Sequence, residues 1–395
     1  YELLEVGAYE KAQEMANYAS SAEDMTAEEV ARAGILKLMM NDPSGIEKLE
    51  LALQQDPELI SAELALAFAS IQSGNLARAT KIADKWLELY PNKAGGHNLQ
   101  ARILFKNNKF EEGKAALEKS LALEPNNVYA LTEIVKLAAY QKDTEQATLL
   151  TEQALKAHPN NIEVLRLYFE FHKNEEGLEV IAQAQKSNAD NVKHGMLLAE
   201  ALIQLDQFRQ ASTILNGYQL SGRTPKRYWQ LVLMANAKQP DAKDVYSILD
   251  KWFKNNPYHI EPAFLLANYW TSKKFPDRAL GVLDEASKKH PNNLMINLVK
   301  MQVLLDSGGI ADAKDLFKSL DKFDVNEDLK AGIEGRIFLL ERNFIDAIPK
   351  LQQQYKARPT SNNATFLAFA LEGNNQKSQA IELLEQFSDK ENIEN

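Results

Sequence analysis

The sequence predicts an all-α solenoid of about eleven stacked helix pairs, preceded by a truncated half-pair. Three observations lead there: a proline period, a matching period of small residues, and apolar residues at helical spacing with no sustained two-residue alternation. Pro57, Pro91, Pro125 and Pro159 follow one another at intervals of 34 residues. Pro257 and Pro291 repeat that interval, and Pro359 lies twice as far beyond, with Val325 in the intervening place. Twelve residues before these points stand Gly45, Ala79, Gly113, Ala147, Gly177, Val245, Ala279, Ala313 and Ala347, all small except Val245. Eight residues before them, most residues are apolar, as in Leu49, Leu117, Ile181, Leu283 and Leu351. Small residues are required where two paired helices approach closely, since larger side chains would force them apart.

Each element follows from this register. The segment VGAYEKAQEMANYA at 6–19 reads as the second helix of a unit whose first half is missing. Ten units then end near 57, 91, 125, 159, 189, 223, 257, 291, 325 and 359, and an eleventh spans roughly 361–390. In the unit around 66–90, Leu66, Ala67 and Ile71 share one helix face, and Leu76, Ala79, Ala83 and Trp86 share a face of the next. Short turns such as SGNLARA, NNKFEEG and ERNFIDA open the second helices, and Pro-Asn-Asn stops one helix and starts another. The HPNN tetrapeptides at 158–161 and 290–293 are this punctuation in two equivalent units. A trimmed unit at 162–189 and a long loop at 219–229 are expected to interrupt the stacking, giving two continuous sub-arrays, 1–189 and 190–395. Pro349, inside a second helix, is expected to bend or shorten it.

This pattern resembles the tetratricopeptide repeat family across essentially the whole chain. The family's small residue in the first helix corresponds to Ala67, Ala101, Ala199, Ala267 and Gly335, and a third small position to Ala52, Ala154, Ala184 and Ala286. The large residue that the family often places early in the first helix is usually missing here, Trp229 being the clearest instance. The resemblance implies a right-handed superhelix whose first helices line a concave groove, and a protein or peptide partner.

Composition removes several kinds of chemistry. The chain has no Cys, which excludes disulfides, zinc-thiolate sites and thiol catalysis. Its formal net charge of −10 disfavours broad nucleic-acid binding. No apolar run reaches the length of a membrane span. The chain begins at Tyr1 without Met or a signal peptide and is read as a fragment, with any targeting signal upstream. His97, His172, His194 and His259 lie singly, so no metal cluster is expected. His158 and His290 read as turn residues, and Trp86 and Trp252, at one repeat position, as packing between units. Acidic pairs such as Glu111-Glu112 open helices, where they suit the N-terminal dipole. No catalytic residue and no cofactor are expected.

By family analogy, groove-facing positions in the units from 94 to 238 include Arg102, Lys106, Lys136, Arg166, Lys173, Lys193, Arg227 and Lys238, opposed by Glu163, Glu170 and Glu200. Asn98, Phe105, Tyr129 and Tyr140 share that register. This basic stretch in an acidic chain is expected to meet an acidic peptide or an anionic polymer, a solvated surface of accidental sign being the alternative. Glu133 and Glu163 stand where the family's chaperone-tail clamp would need uncharged or basic groups. Later units place Phe264, Met295, Leu298, Leu305, Leu329, Leu339 and Leu340 in the groove register, an apolar stripe either closed off or open to an apolar partner.

Residues 335–387 also look like the C-terminal part of bacterial repeat lipoproteins that accompany exopolysaccharide and PEP-CTERM/exosortase gene clusters. That likeness implies a periplasmic or outer-membrane-anchored lipoprotein serving exopolysaccharide assembly or export. The rival readings are a cytoplasmic co-chaperone or regulator binding acidic tails, and the interaction region of a larger enzyme.

Overall fold

The computed structural model describes residues 11, 12, 14, 15, 25–239 and 244–394, so the half-unit expected at 6–19 lies largely outside the described residues. Among the described residues there are eleven helix pairs and no strand. The first six pairs are α1 (Ala27–Met39) with α2 (Gly45–Gln55), α3 (Ile60–Gln72) with α4 (Leu76–Leu89), α5 (Ala94–Lys106) with α6 (Phe110–Leu123), α7 (Val128–Tyr140) with α8 (Thr144–Ala157), α9 (Ile162–Phe171) with α10 (Glu175–Ser187), and α11 (Val192–Gln204) with α12 (Phe208–Asn216). The rest are α13 (Lys226–Ala237) with α14 (Val245–Asn255), α15 (Glu261–Ser272) with α16 (Pro276–Lys289), α17 (Leu294–Ser307) with α18 (Ile310–Ser319), α19 (Glu327–Leu340) with α20 (Phe344–Ala357), and α21 (Ser361–Gly373) with α22 (Lys377–Glu394). The chain divides into two compact units, Tyr1–Ile248 and Leu249–Asn395. The trimmed pair and the long loop both lie inside the first unit.

The helix interfaces are built on the small residues. Ala79, Ala147, Ala279, Ala313 and Ala347 are completely buried. Val245, the exception in the series, is 44% exposed, so its larger side chain meets no neighbouring helix that would exclude it. Two further repeats appear in the backbone. Asn127, Asn161 and Asn293 cap α7, α9 and α17, their side-chain oxygens accepting first-turn amides such as Ala130 N at 3.0 Å. The last Asn of each HPNN is therefore an N-cap, and its His is the C-cap of the preceding helix. His158 also ties its turn to the previous one, with Nε2 2.6 Å from Asn126 O. Within the pairs, Gly74, Asn108 and Lys142 repeat a left-handed turn conformation, as do Lys274, Gly308 and Arg342, with φ between 59° and 80°.

The stacking is not interrupted where the sequence suggested. First helices α7, α9, α11 and α13 each pack on the next, through the trimmed pair and across the long loop. The deletion shortens the helices themselves, α9 to 10 residues and α10 to 13, against 13 and 14 in the pair before, while the turn at 172–174 keeps the usual length. There Gly177 is obligatory, because a Cβ would stand 1.9 Å from His172 O. The insertion falls in the loop before α13, which Tyr228 Oη pins by donating to Leu215 O at 2.7 Å. Nor does Pro349 shorten its helix, since α20 runs 14 residues through it. Pro349 and Ile345, whose carbonyl loses its partner, are both solvent-exposed, so water can replace the missing bond.

Within each unit, first helices pack on first helices: α1 on α3, α3 on α5 and α7 on α9 in the first, α15 on α17, α17 on α19 and α19 on α21 in the second. Among the described residues, second helices show no comparable packing on one another. The first helices are thus the tighter layer, which places them on the inner side of each stack.

Candidate functional site

The first-helix layer of the first unit carries a row of side chains that meet across successive helices. Lys136 on α7 lies 2.9 Å from Glu163 on α9 and 3.0 Å from Glu133 one turn away. Arg166 on α9 and Arg227 on α13 both reach Glu200 on α11, at 2.5 and 2.7 Å. The Arg102 guanidinium sits 5.0 Å above the Phe68 ring of α3. Lys136, Arg166 and Arg227 thus meet carboxylates of neighbouring first helices.

That face is less uniformly basic than the register suggested. Lys136, Arg166 and Arg227 each have a carboxylate partner. Burial works against the Lys136 ammonium, yet its hydrogen bonds to Glu163 and Glu133 leave its pKa raised. Lys106, Lys173, Lys193, Lys238 and Arg102 are exposed and make no ion pair among the described residues. Glu133 falls one position outside the register, and its signal in the sequence was its spacing of three from Lys136 on one helix.

The uncharged candidates have structural partners. Asn98 accepts from Ser120 Oγ at 2.6 Å and donates to Asn127 Oδ1 at 3.1 Å, joining α5, α6 and the cap of α7. Tyr129 is half-buried, and burial, with Glu133 nearby, pushes its phenol up to about 12. Phe105 stacks on Phe110, which in turn meets Tyr140 at 5.0 Å between ring centroids. Tyr140 remains 68% exposed at the end of that aromatic row.

In the second unit the apolar stripe separates into parts. Leu339 and Leu340 pack against hydrophobic cores, Phe264 is half-buried and Met295 is exposed. Leu298, Leu305 and Leu329 belong to or pack on the same core as Leu340 and also line a cavity between α17, α19 and α21. Trp86 and Trp252 both anchor indole N–H groups, to Glu63 at 2.7 Å and to His259 at 2.9 Å. Among the described residues no His, Asp and Glu cluster could hold a metal, and no helix is long and apolar enough to cross a membrane.

No curated protein matches the chain. Similar solved structures include a thermophilic TPR protein of Thermus thermophilus, at 16% identity and TM-score 0.37, covering 45% of this chain and all of that one. PilF of Pseudomonas aeruginosa aligns at 15% identity and TM-score 0.32, covering 62% of this chain and 96% of its own. A human IFIT1 dimer with m7Gppp-AAAA aligns at 14% identity and TM-score 0.33, covering 98% and 94%. The sequence profile of the Tetratricopeptide repeat family matches residues 44–103. Residues 44–103 thus match the tetratricopeptide repeat, and most of the helix pairs that follow repeat its buried small residues.

Proposed function

We propose that this chain is a non-catalytic interaction scaffold that holds an acidic protein or peptide segment against the first-helix face of its first unit. The observation that carries this reading is the set of exposed cations Arg102, Lys106, Lys173, Lys193 and Lys238, which no carboxylate neutralises among the described residues. They stand on the inner layer of a chain of formal net charge −10, whose other faces should repel the same ligand. Exposed pairs contribute at most about 1 kcal/mol each, so binding needs several acting together. An anionic polymer would satisfy the same chemistry. The resemblance of residues 335–387 to envelope lipoproteins supports exopolysaccharide assembly or export as the setting, outside the cytoplasm.

The test is fluorescence anisotropy with a labelled oligo-glutamate peptide, an oligo-lysine control and a soluble anionic polysaccharide. Saturable oligo-glutamate binding that weakens steeply with salt, and none of the oligo-lysine, is expected. Preference for the polysaccharide would make a polymer the partner. Equal binding of both peptides, or none of either, would remove the acidic-segment reading.

A further inference from the structure

The second unit holds a cavity of about 440 Å³ on its first-helix face, where α17, α19 and α21 adjoin. Its apolar wall includes Leu298, Leu305 and Leu329, beside Met301, Ile333 and Phe366. Its two charged groups satisfy each other: Arg336 Nη2 lies 2.8 Å from Asp306 Oδ1, and Nη1 lies 2.9 Å from Gln302 Oε1, with the guanidinium 4.4 Å over the Phe366 ring. An anionic guest would have to compete with Asp306, and a cationic guest would face Arg336. The seat is electrically balanced.

A side chain from the other layer reaches this cavity. Gln354 belongs to the second helix α20, yet its carboxamide lines the space. It passes over Gly332 of α19, where a Cβ would stand 1.9 Å from Gln354 Cδ. Any larger residue at 332 would close that window. The Gln354 Oε1 atom is buried and has no hydrogen-bond partner. A buried acceptor without a donor is costly, so an entering N–H that reaches it gains accordingly.

We propose that this cavity is a seat for an uncharged peptide segment, with an aliphatic side chain on Leu298, Leu305 and Leu329 and a backbone N–H donated to Gln354 Oε1. A peptide backbone supplies that donor without net charge, and an apolar side chain suits the leucine wall. The proposal rests on reading the chain as a peptide-binding scaffold, but not on the basic row of the first unit.

The test is a methyl-labelled NMR titration of the full chain with the capped peptide acetyl-Ala-Leu-Leu-Ala-amide. Saturable shifts are expected for the methyls of Leu298, Leu305 and Leu329, with first-unit methyls unmoved. Gln354→Met keeps the side-chain volume and removes the acceptor, so affinity should fall roughly three- to tenfold. A peptide with one amide replaced by an ester should lose as much, and lose nothing further on Gln354→Met. Gly332→Ala, which closes the window, should match Gln354→Met. Absence of saturable shifts, unchanged affinity of Gln354→Met, or equal response to acetyl-Ala-Glu-Glu-Ala-amide would overturn the proposal. An acidic-peptide response confined to the first unit would leave the basic row standing and sink this site alone.

Discussion

Arg227 donates through Nε to Glu200 Oε1 at 2.7 Å, and so brings a guanidinium of α13 onto a carboxylate of α11 that Arg166 of α9 already holds. One carboxylate, about one-tenth exposed, thus joins three successive first helices and leaves one positive charge in excess. Glu200→Gln should weaken the stack by roughly 1–3 kcal/mol, because the carboxamide offers one acceptor oxygen and turns its NH2 towards the guanidinium that bonded the other. It should also tighten oligo-glutamate binding, since the row gains a unit of positive charge. Urea unfolding and anisotropy check the two effects. Weaker binding would mean that the arginines act only when Glu200 orients them.

The left-handed turn positions predict stabilising changes. Lys142, Lys274 and Arg342 hold φ between 60° and 66°, where Gly74 and Gly308 sit in equivalent turns. Substituting Gly should relieve strain that exceeds the added entropy of the unfolded chain, by roughly 0.5–1 kcal/mol per site. The triple glycine variant should raise the urea midpoint. A lower midpoint would contradict the turn assignment.

Ala147 and Ala313 are completely buried between paired helices. Leucine at either should overpack the interface and cost roughly 1–3 kcal/mol. His158→Ala removes one inter-turn hydrogen bond and should cost about 1 kcal/mol or less. Denaturant unfolding orders the three variants, and the reverse order would break the register.

Asp42 predicts a pH dependence. Hydrogen bonds from the Ser44 hydroxyl, then Lys37 and the Ser44 amide, hold its carboxyl well below the usual carboxylate range. A depressed folded-state value means that its stabilisation is complete above the unfolded pKa, about 4, and disappears as pH falls through the folded one. Asp42→Asn should therefore cost about 1–2 kcal/mol at pH 7. The gap between variant and parent midpoints should narrow towards about pH 3. A constant gap would exclude the charged form as the source.

Much of this organisation was legible because the repeat writes the same constraint many times. Ala79, Ala147 and Ala313 are small for one packing reason, and a period makes that reason visible without coordinates. The turns Asn108, Lys142 and Arg342 share a conformation but no residue type, so composition gave no sign of it. The candidate site was legible only as a register. Which cations are already paired depends on distances between successive helices, as at Lys136 and Glu163. Gln354 was invisible for a different reason. It belongs to the wrong helix for the groove and reaches it only through the missing side chain of Gly332.

The central claim is that exposed cations of the first-helix layer select an acidic partner. It is tested most directly by measuring oligo-glutamate affinity at low salt for Arg102→Glu combined with Lys106→Glu and Lys193→Glu, residues whose reversal breaks no ion pair among the described residues. The matched control reverses Lys119, Lys156 and Lys186, exposed on second helices α6, α8 and α10. Both variants change net charge equally, so only position distinguishes them. The first-helix set should abolish binding while the control keeps most of it, and the difference should vanish near 1 M salt, where the Debye length is about 3 Å. Equal loss from both sets, or none from the first, would contradict the account.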